Sequence, residues 1–98
     1  MPNYLVILRR DGPRWDPQRP MEEQEEWPAH ARFMDNLVAS GIVVLGGPLA
    51  DEQRVALACV APSAPELRAV LDGDPWAGSH LVVSSIEPWT IRLRTANG

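Results

Sequence analysis

His30 and Asp74 are the residues of this chain whose types and positions best suit chemistry. His30 lies three residues after Trp27 and four before Met34, which places its imidazole on the packed side of a predicted helix. Asp74 follows a second predicted helix. A carboxylate that binds one ring nitrogen would fix the imidazole tautomer and leave the other nitrogen free to accept or donate a proton. The two residues are therefore our candidate catalytic pair.

Each member of this pair also has an ordinary structural interpretation. A single histidine on an apolar helix face is usually a satisfied core residue. An aspartate before a proline, as in Asp74-Pro75, often binds nearby backbone N–H groups in a turn. Spacing alone leaves these interpretations open beside the catalytic one.

Other residues with reactive or special side chains give weaker signals. Cys59 is the only cysteine and lies in an apolar run, so we expect a buried, inert thiol and no disulfide. His80 opens a predicted strand and has no companion at metal-ligand spacing, so we expect it to be exposed or at an edge. The run Gly46-Gly47-Pro48 lacks the spacing of phosphate-binding loops and predicts a bend where backbones approach closely. We expect no metal site and no cofactor.

The elements that must position the pair follow from apolar periodicity and turn residues. The predicted strands span residues 4–8, 42–45, 54–61 and 80–87. One helix is predicted over 21–40, where Pro28 either starts the regular helix or kinks a longer one. The second helix begins after the capping residue Ser63 and stops at Gly73. A proline-rich loop spans 11–20, with Trp15 as a candidate lid residue, and a tail spans 90–98.

This order, β-α-β-β-α-β, predicts a ferredoxin-like α+β fold: a four-stranded antiparallel sheet with two helices on one face. The strands are apolar on both faces, although two helices can cover only one of them. A second copy of the chain is the simplest cover for the other face. We therefore predict a homodimer in which two sheets pack face to face.

Composition limits the class of protein. The chain has 98 residues, 45% of them apolar, which suits one domain over residues 1–98. Its formal charge of −4 and the absence of a basic stripe argue against nucleic acid as a partner. The sequence shows neither a leader segment nor an apolar run long enough to cross a membrane, so we expect a cytoplasmic protein without a membrane partner.

Several residues, taken in order, resemble the YCII-related (YciI-like) domain family of the dimeric α+β barrel superfamily. They are His30, Phe33-Met34, Leu37, Gly41, Gly46-Gly47-Pro48-Leu49, Asp74-Pro75-Trp76 and Pro88-Trp89. The most specific elements are the helix histidine, the Gly-Pro-Leu after the second strand and the Asp-Pro-aromatic after the second helix. The match spans nearly the whole chain, while the insertion over 11–20 departs from the shortest members.

The resemblance implies a dimeric α/β barrel and an active site formed by His30 and Asp74. Some relatives are dehydrochlorinases of chlorinated hydroquinones, but most members have no assigned reaction, so no substrate carries over. We expect a cofactor-independent lyase or isomerase for a small molecule, with a pocket lined by Gly47, Pro48, Leu49 and Trp76. Two alternatives remain: a homodimer that binds a small ligand without turnover, and an interaction module with a filled interior.

Overall fold

The chain forms its strands and helices in the predicted order. The structure is a computed structural model that describes residues 1–96, so the last two positions of the predicted tail lie outside the described residues. The strands are β1 (Asn3–Arg9), β2 (Val43–Pro48), β3 (Arg54–Val60) and β4 (Val82–Pro88), and the helices are α1 (Trp27–Ala39) and α2 (Ala64–Leu71).

The four strands form one antiparallel sheet in the spatial order β2-β3-β1-β4. β2 and β3 pair as the predicted hairpin. β1 lies in the middle, where Val6 pairs with Leu57 on one side and with Ile86 on the other. This confirms the predicted α+β architecture, and the strand order is compatible with a ferredoxin-like fold.

The core lies on the sheet face that carries the even-numbered residues of β1. Tyr4, Val6 and Leu8 alternate with half-buried neighbours along that strand, as a period of two requires. Both helices contribute buried leucines to the same core, Leu37 from α1 and Leu67 and Leu71 from α2. Also in this core is Cys59, where burial raises the pKa of its thiol to about 11.

The opposite sheet face is also apolar. Leu5 and Ile7 of β1 lie there and are half-buried, whereas Leu45 of β2 is 68% exposed. Part of this side is flanked by the C-terminal tail, which does not extend β4 as a strand beyond Pro88. A cavity of about 230 Å³ separates tail residues such as Leu93 from the sheet.

The first helix begins later than predicted because of Pro28. Residues Met21–Glu23 form a short 3₁₀ helix, and the α-helical hydrogen bonds start only with the His30 N–H donating to the Glu26 carbonyl. A continuous helix would need an N–H at Pro28 and would bring its ring against the preceding turn. Pro28 therefore lies in the first turn of α1, and the chain before it takes an irregular path.

Short-range signals are confirmed at the start of α2 and at the end of α1, whereas α2 ends at Leu71, two residues before the predicted Gly73. The Ser63 hydroxyl caps α2 by accepting from the Glu66 N–H at 3.2 Å, and Gly41 follows α1 with a φ of 82°. No helix in the described part of the chain is long and apolar enough to cross a membrane.

Gly46 and Gly47 lie within β2 and not in a bend after it, which corrects the predicted end of that strand. The close backbone approach was predicted correctly: a Cβ on Gly46 would lie 2.8 Å from the Ala56 carbonyl oxygen and 2.5 Å from a Leu57 methyl group. The strand bends through a register shift between Val43 and Leu45.

Candidate functional site

His30 and Asp74 are in direct contact. Nδ1 of His30 lies 2.8 Å from Oδ1 and 2.9 Å from Oδ2 of Asp74. Both side chains are nearly buried, with 9% and 8% of their surface exposed. Because an ionised carboxylate only accepts hydrogen bonds, the imidazole donates its Nδ1–H to Asp74.

The second nitrogen of His30 is therefore the one available for chemistry. Nε2 has no hydrogen-bond partner among residues 1–96. It is also not among the buried polar atoms without a partner in that part of the chain, so some of its surface is accessible. His30 also lines a cleft between α1 and the sheet. The arrangement gives a neutral imidazole an unshared electron pair on Nε2, which is what a general base requires.

Asp74 is positioned by the end of α2 and by a turn. Its N–H donates to the Leu71 carbonyl, which continues the last turn of the helix. Its Oδ1 also accepts from the Trp76 N–H at 2.9 Å. The turn interpretation of Asp74-Pro75 and the contact with His30 are thus both correct, because one carboxylate serves both.

Trp76 is stacked between two histidines. Its ring centroid lies 4.0 Å from that of His30, with an angle of 8° between the planes, and 4.9 Å from that of His80, with an angle of 16°. The indole N–H donates to the Glu25 carbonyl at 2.7 Å. That carbonyl precedes the α-helical part of the chain, so the interruption before Pro28 leaves it available. Trp76 is 1% exposed and fixes the plane of the His30 ring.

The cleft beside His30 has a volume of about 370 Å³, within the usual range of about 300–1,000 Å³ for small-molecule sites. Its walls are mostly apolar or aromatic and come from both the sheet and α1. They include Leu8, Met21, Trp27, Ala31, Met34, Pro48, Val55, Leu57, Trp76 and Leu81. Such a site suits a small organic molecule with a flat apolar body.

Three of the four predicted substrate-binding residues line this cleft together with His30. These are Gly47, Pro48 and Trp76. Leu49 lies in the β2–β3 turn, where its N–H donates to the Arg54 carbonyl, and it is not part of the cleft lining. Asp74 lines a separate cavity of about 210 Å³ and contacts His30 from that side.

The proline-rich loop over 11–20 lies beside the cleft. Trp15 packs edge-on against Trp76, with ring centroids 5.7 Å apart. Gln24, which is 5% exposed, anchors the loop by exchanging two hydrogen bonds with the backbone of Asp16. A cavity of about 470 Å³ under the loop shares Arg10 and other lining residues with the His30 cleft. Trp15 therefore supports the wall of the cleft.

His80 was expected to be exposed or at an edge, and the expected exposure is wrong because the side chain is buried. It is 1% exposed because residues 76–81 form a tight turn in which the Trp76 carbonyl accepts from the N–H groups of Ser79, His80 and Leu81. This turn places the His80 ring on the face of the Trp76 indole opposite His30. Nδ1 of His80 lies 2.9 Å from the Ser79 hydroxyl, and Nε2 has no partner among the described residues. Burial lowers the pKa of His80.

Most of the residues that line the cleft were not predicted from the sequence as site residues, and Trp27 and Arg10 are two of them. Trp27 lines the cleft and packs at a tilt against both His30 and Trp76. Arg10 lines it from the end of β1. β1 ends at Arg9, so the alternation of Tyr4, Val6 and Leu8 does not by itself place Arg10 on the core face of the sheet.

The site offers no evident place for a metal ion. Among residues 1–96, no group of three or more His, Cys, Asp or Glu side chains is placed to hold one.

Comparisons with known proteins do not assign this chain. No protein family, no curated protein and no solved structure matches it. The resemblance to the YCII-related family therefore stays a prediction, and the functional argument rests on the geometry of the site.

Proposed function

We propose that this protein catalyses proton transfer in the elimination or isomerisation of a small organic molecule, with His30 as the general base and acid. The contact between Nδ1 of His30 and the Asp74 carboxylate, next to an apolar cleft, is the observation that carries the proposal. The same pair is what membership of the YCII-related family would imply.

Asp74 and Trp76 have separate roles in this mechanism. Asp74 holds the tautomer with hydrogen on Nδ1 and stabilises the imidazolium that forms when Nε2 takes a proton. The face of Trp76, 4.0 Å from the His30 ring, also favours the cationic ring. Both interactions strengthen as charge develops, so they lower the barrier to proton abstraction.

In an elimination from saturated carbon, Nε2 of His30 removes a proton from the carbon next to the one that bears the leaving group, the C–H electron pair forms the new double bond, and a leaving group such as chloride departs. For a chlorinated hydroquinone, the imidazolium first protonates the C–Cl carbon, and the imidazole then removes the proton of the remaining hydroxyl group, so that the electron pair shifts through the ring, chloride departs and the quinone forms. In an isomerisation, the imidazolium returns the proton to another carbon. Neither reaction changes the oxidation state of the protein or requires an external acceptor of electrons. Both reactions fit a site in which the described residues supply a base and an apolar enclosure.

Substitution of His30 tests this proposal. We expect wild-type protein to release chloride from a chlorinated hydroquinone or to open the ring of 5-nitrobenzisoxazole, a general probe of protein bases. His30→Asn should lower the rate by about 10²–10⁴-fold, because a positioned base contributes about that much. His80→Phe is the matched control, since it removes the other histidine and keeps an aromatic ring against Trp76.

The outcomes separate the candidate functions. Equal rates for wild type and His30→Asn, with both folded by circular dichroism, would contradict the proposal. Saturable binding without turnover of any compound would favour a ligand-binding protein.

We also propose that the protein acts as a homodimer whose two sheets pack face to face. The apolar sheet face opposite the helices supports this, because Leu5 and Ile7 are only half-buried in one chain and Leu45 is exposed. Burial of such a face by a second copy would stabilise a domain of this size.

A further inference from the structure

Arg10 places a positive charge at the apolar cleft that contains His30. It directly follows the last residue of β1, its side chain is half-buried, and it lines the cleft together with His30 and Trp76. A cation in a mostly apolar wall is expensive to desolvate unless an anion or acceptor meets it. The groups that contact the Arg10 guanidinium therefore indicate whether a ligand could supply the missing anion.

Only some of the N–H donors of the Arg10 guanidinium have an acceptor among the described residues. Nη1 donates to the Glu52 carbonyl at 2.7 Å, Nη2 contacts Sδ of Met21 at 3.5 Å, and the group lies 4.6 Å from the ring centroid of Trp15. No carboxylate within residues 1–96 forms an ion pair with it. A guanidinium has five N–H donors, so most of them have no acceptor among the described residues.

These contacts hold the guanidinium in place without neutralising it. The carbonyl, the sulfur and the indole fix its position, while its charge has no counterion in the described part of the chain. A positioned planar guanidinium matches a carboxylate, which it can bind through two parallel hydrogen bonds.

We propose that the ligand of the His30 cleft carries a carboxylate that binds Arg10, attached to a flat apolar body that contacts Trp27 and Met34. This inference rests on the proposed function in taking the His30 cleft as the ligand site. It adds the substrate class: an aromatic or other planar carboxylic acid. Asp35, an exposed carboxylate that also lines the cleft, is the one described group there that would favour a cation instead.

A series of one-ring probes of equal size tests the substrate class. We would titrate benzoate, neutral benzamide and cationic benzylamine into the protein and follow the indole N–H signals of Trp27 and Trp76 by NMR. We expect benzoate to bind at about millimolar concentration, as a fragment of this size can. Benzamide should bind more weakly than benzoate, and benzylamine more weakly still.

Variants assign the preference to Arg10. Arg10→Gln should weaken benzoate binding by about 10-fold or more and leave benzamide binding unchanged. Arg10→Lys should restore part of the preference for benzoate, because it keeps the charge but loses the planar fork. Arg9→Gln is the matched control with the same change of charge, since Arg9 alternates to the other sheet face and pairs with Asp11.

Four results would overturn the inference: no benzoate binding in the millimolar range, equal binding of benzoate and benzamide, preference for benzylamine, or unchanged benzoate binding in folded Arg10→Gln. The first three use wild-type protein and do not depend on the folding of a variant. All readouts are binding alone, so failure of proton transfer would be seen separately, as unchanged turnover in His30→Asn.

Discussion

The imidazole of His30 and the indole of Trp76 lie parallel, and the backbone N–H of the same Trp76 binds the carboxylate that orients the imidazole. Three side chains from two distant segments thereby fix one another. The Asp74 carboxylate is shared between a turn and a histidine, so neither the turn nor the ring can move without the other. Because one carboxylate accepts hydrogen bonds from both His30 and the Trp76 backbone, a short chain can hold this nearly buried polar pair in one geometry.

His80 gives the clearest expected dependence of stability on pH. Burial is the largest cause of its lowered pKa; Arg14 and His30 act in the same direction, while Glu25 and Glu26 oppose it. In the unfolded chain the pKa returns to about 6.5. Below that value the unfolded state binds a proton that the folded state does not, so the free energy of unfolding falls as the pH falls.

We therefore expect stability to decrease between about pH 7 and pH 5, with at most about 1.4 kcal/mol per pH unit from this residue. His80→Phe should remove the His80 part of that slope and change stability at pH 7 by no more than about 1 kcal/mol, because it also removes a buried unpaired nitrogen. Urea unfolding of both proteins at several pH values measures this. Identical slopes would contradict the assignment.

At the scale of the elements, β2 owes its close contact with β3 to Gly46. The Gly46→Ala variant should lower the free energy of unfolding by about 1–3 kcal/mol, because the new Cβ meets the Ala56 carbonyl and the Leu57 side chain. Gly47→Ala is the matched control, since nothing lies within 4 Å of its new Cβ. Chemical denaturation should show the loss only for Gly46→Ala; equal losses in both variants would contradict this account of β2.

Periodicity and turn residues predicted the order of the elements. For His30 and Asp74, spacing alone left the contact open, and the resemblance to the YCII-related family implied it. The sequence did not predict the two-sided stack on Trp76. That stack depends on a tight turn over residues 76–81 and on the interruption of the helix before Pro28. Neither feature produces a repeating hydrophobic pattern in the sequence. Arg10 could not be placed in the cleft from the sequence because it follows the end of β1, where the alternation of the strand stops.

At the scale of the whole molecule, the apolar sheet face opposite the helices leads to a test of the proposed dimer. We expect light scattering after size-exclusion chromatography to give about twice the 10.8 kDa mass of one chain. Leu45→Glu should produce a folded monomer, because Leu45 is exposed on that face in one chain. Val38→Glu is the control, since Val38 is exposed on α1. A wild-type monomer at micromolar concentration would contradict the proposal.

Asp74 holds His30 with hydrogen on Nδ1, which leaves the electron pair of Nε2 available to a substrate in the cleft. In the Asp74→Asn variant, the amide oxygen can keep the bond from the Trp76 N–H, and the NH₂ group then replaces Oδ2, which lies 2.9 Å from Nδ1. Such an amide would donate to Nδ1 and force the hydrogen of a neutral His30 onto Nε2.

Long-range ¹H–¹⁵N NMR of the histidine ring nitrogens measures the tautomer directly. For neutral His30 we predict the Nδ1–H tautomer in the wild type and the Nε2–H tautomer in Asp74→Asn, with His80 signals as the internal reference. An Nε2–H tautomer in the wild-type protein, or the same His30 tautomer in both proteins, would contradict the account.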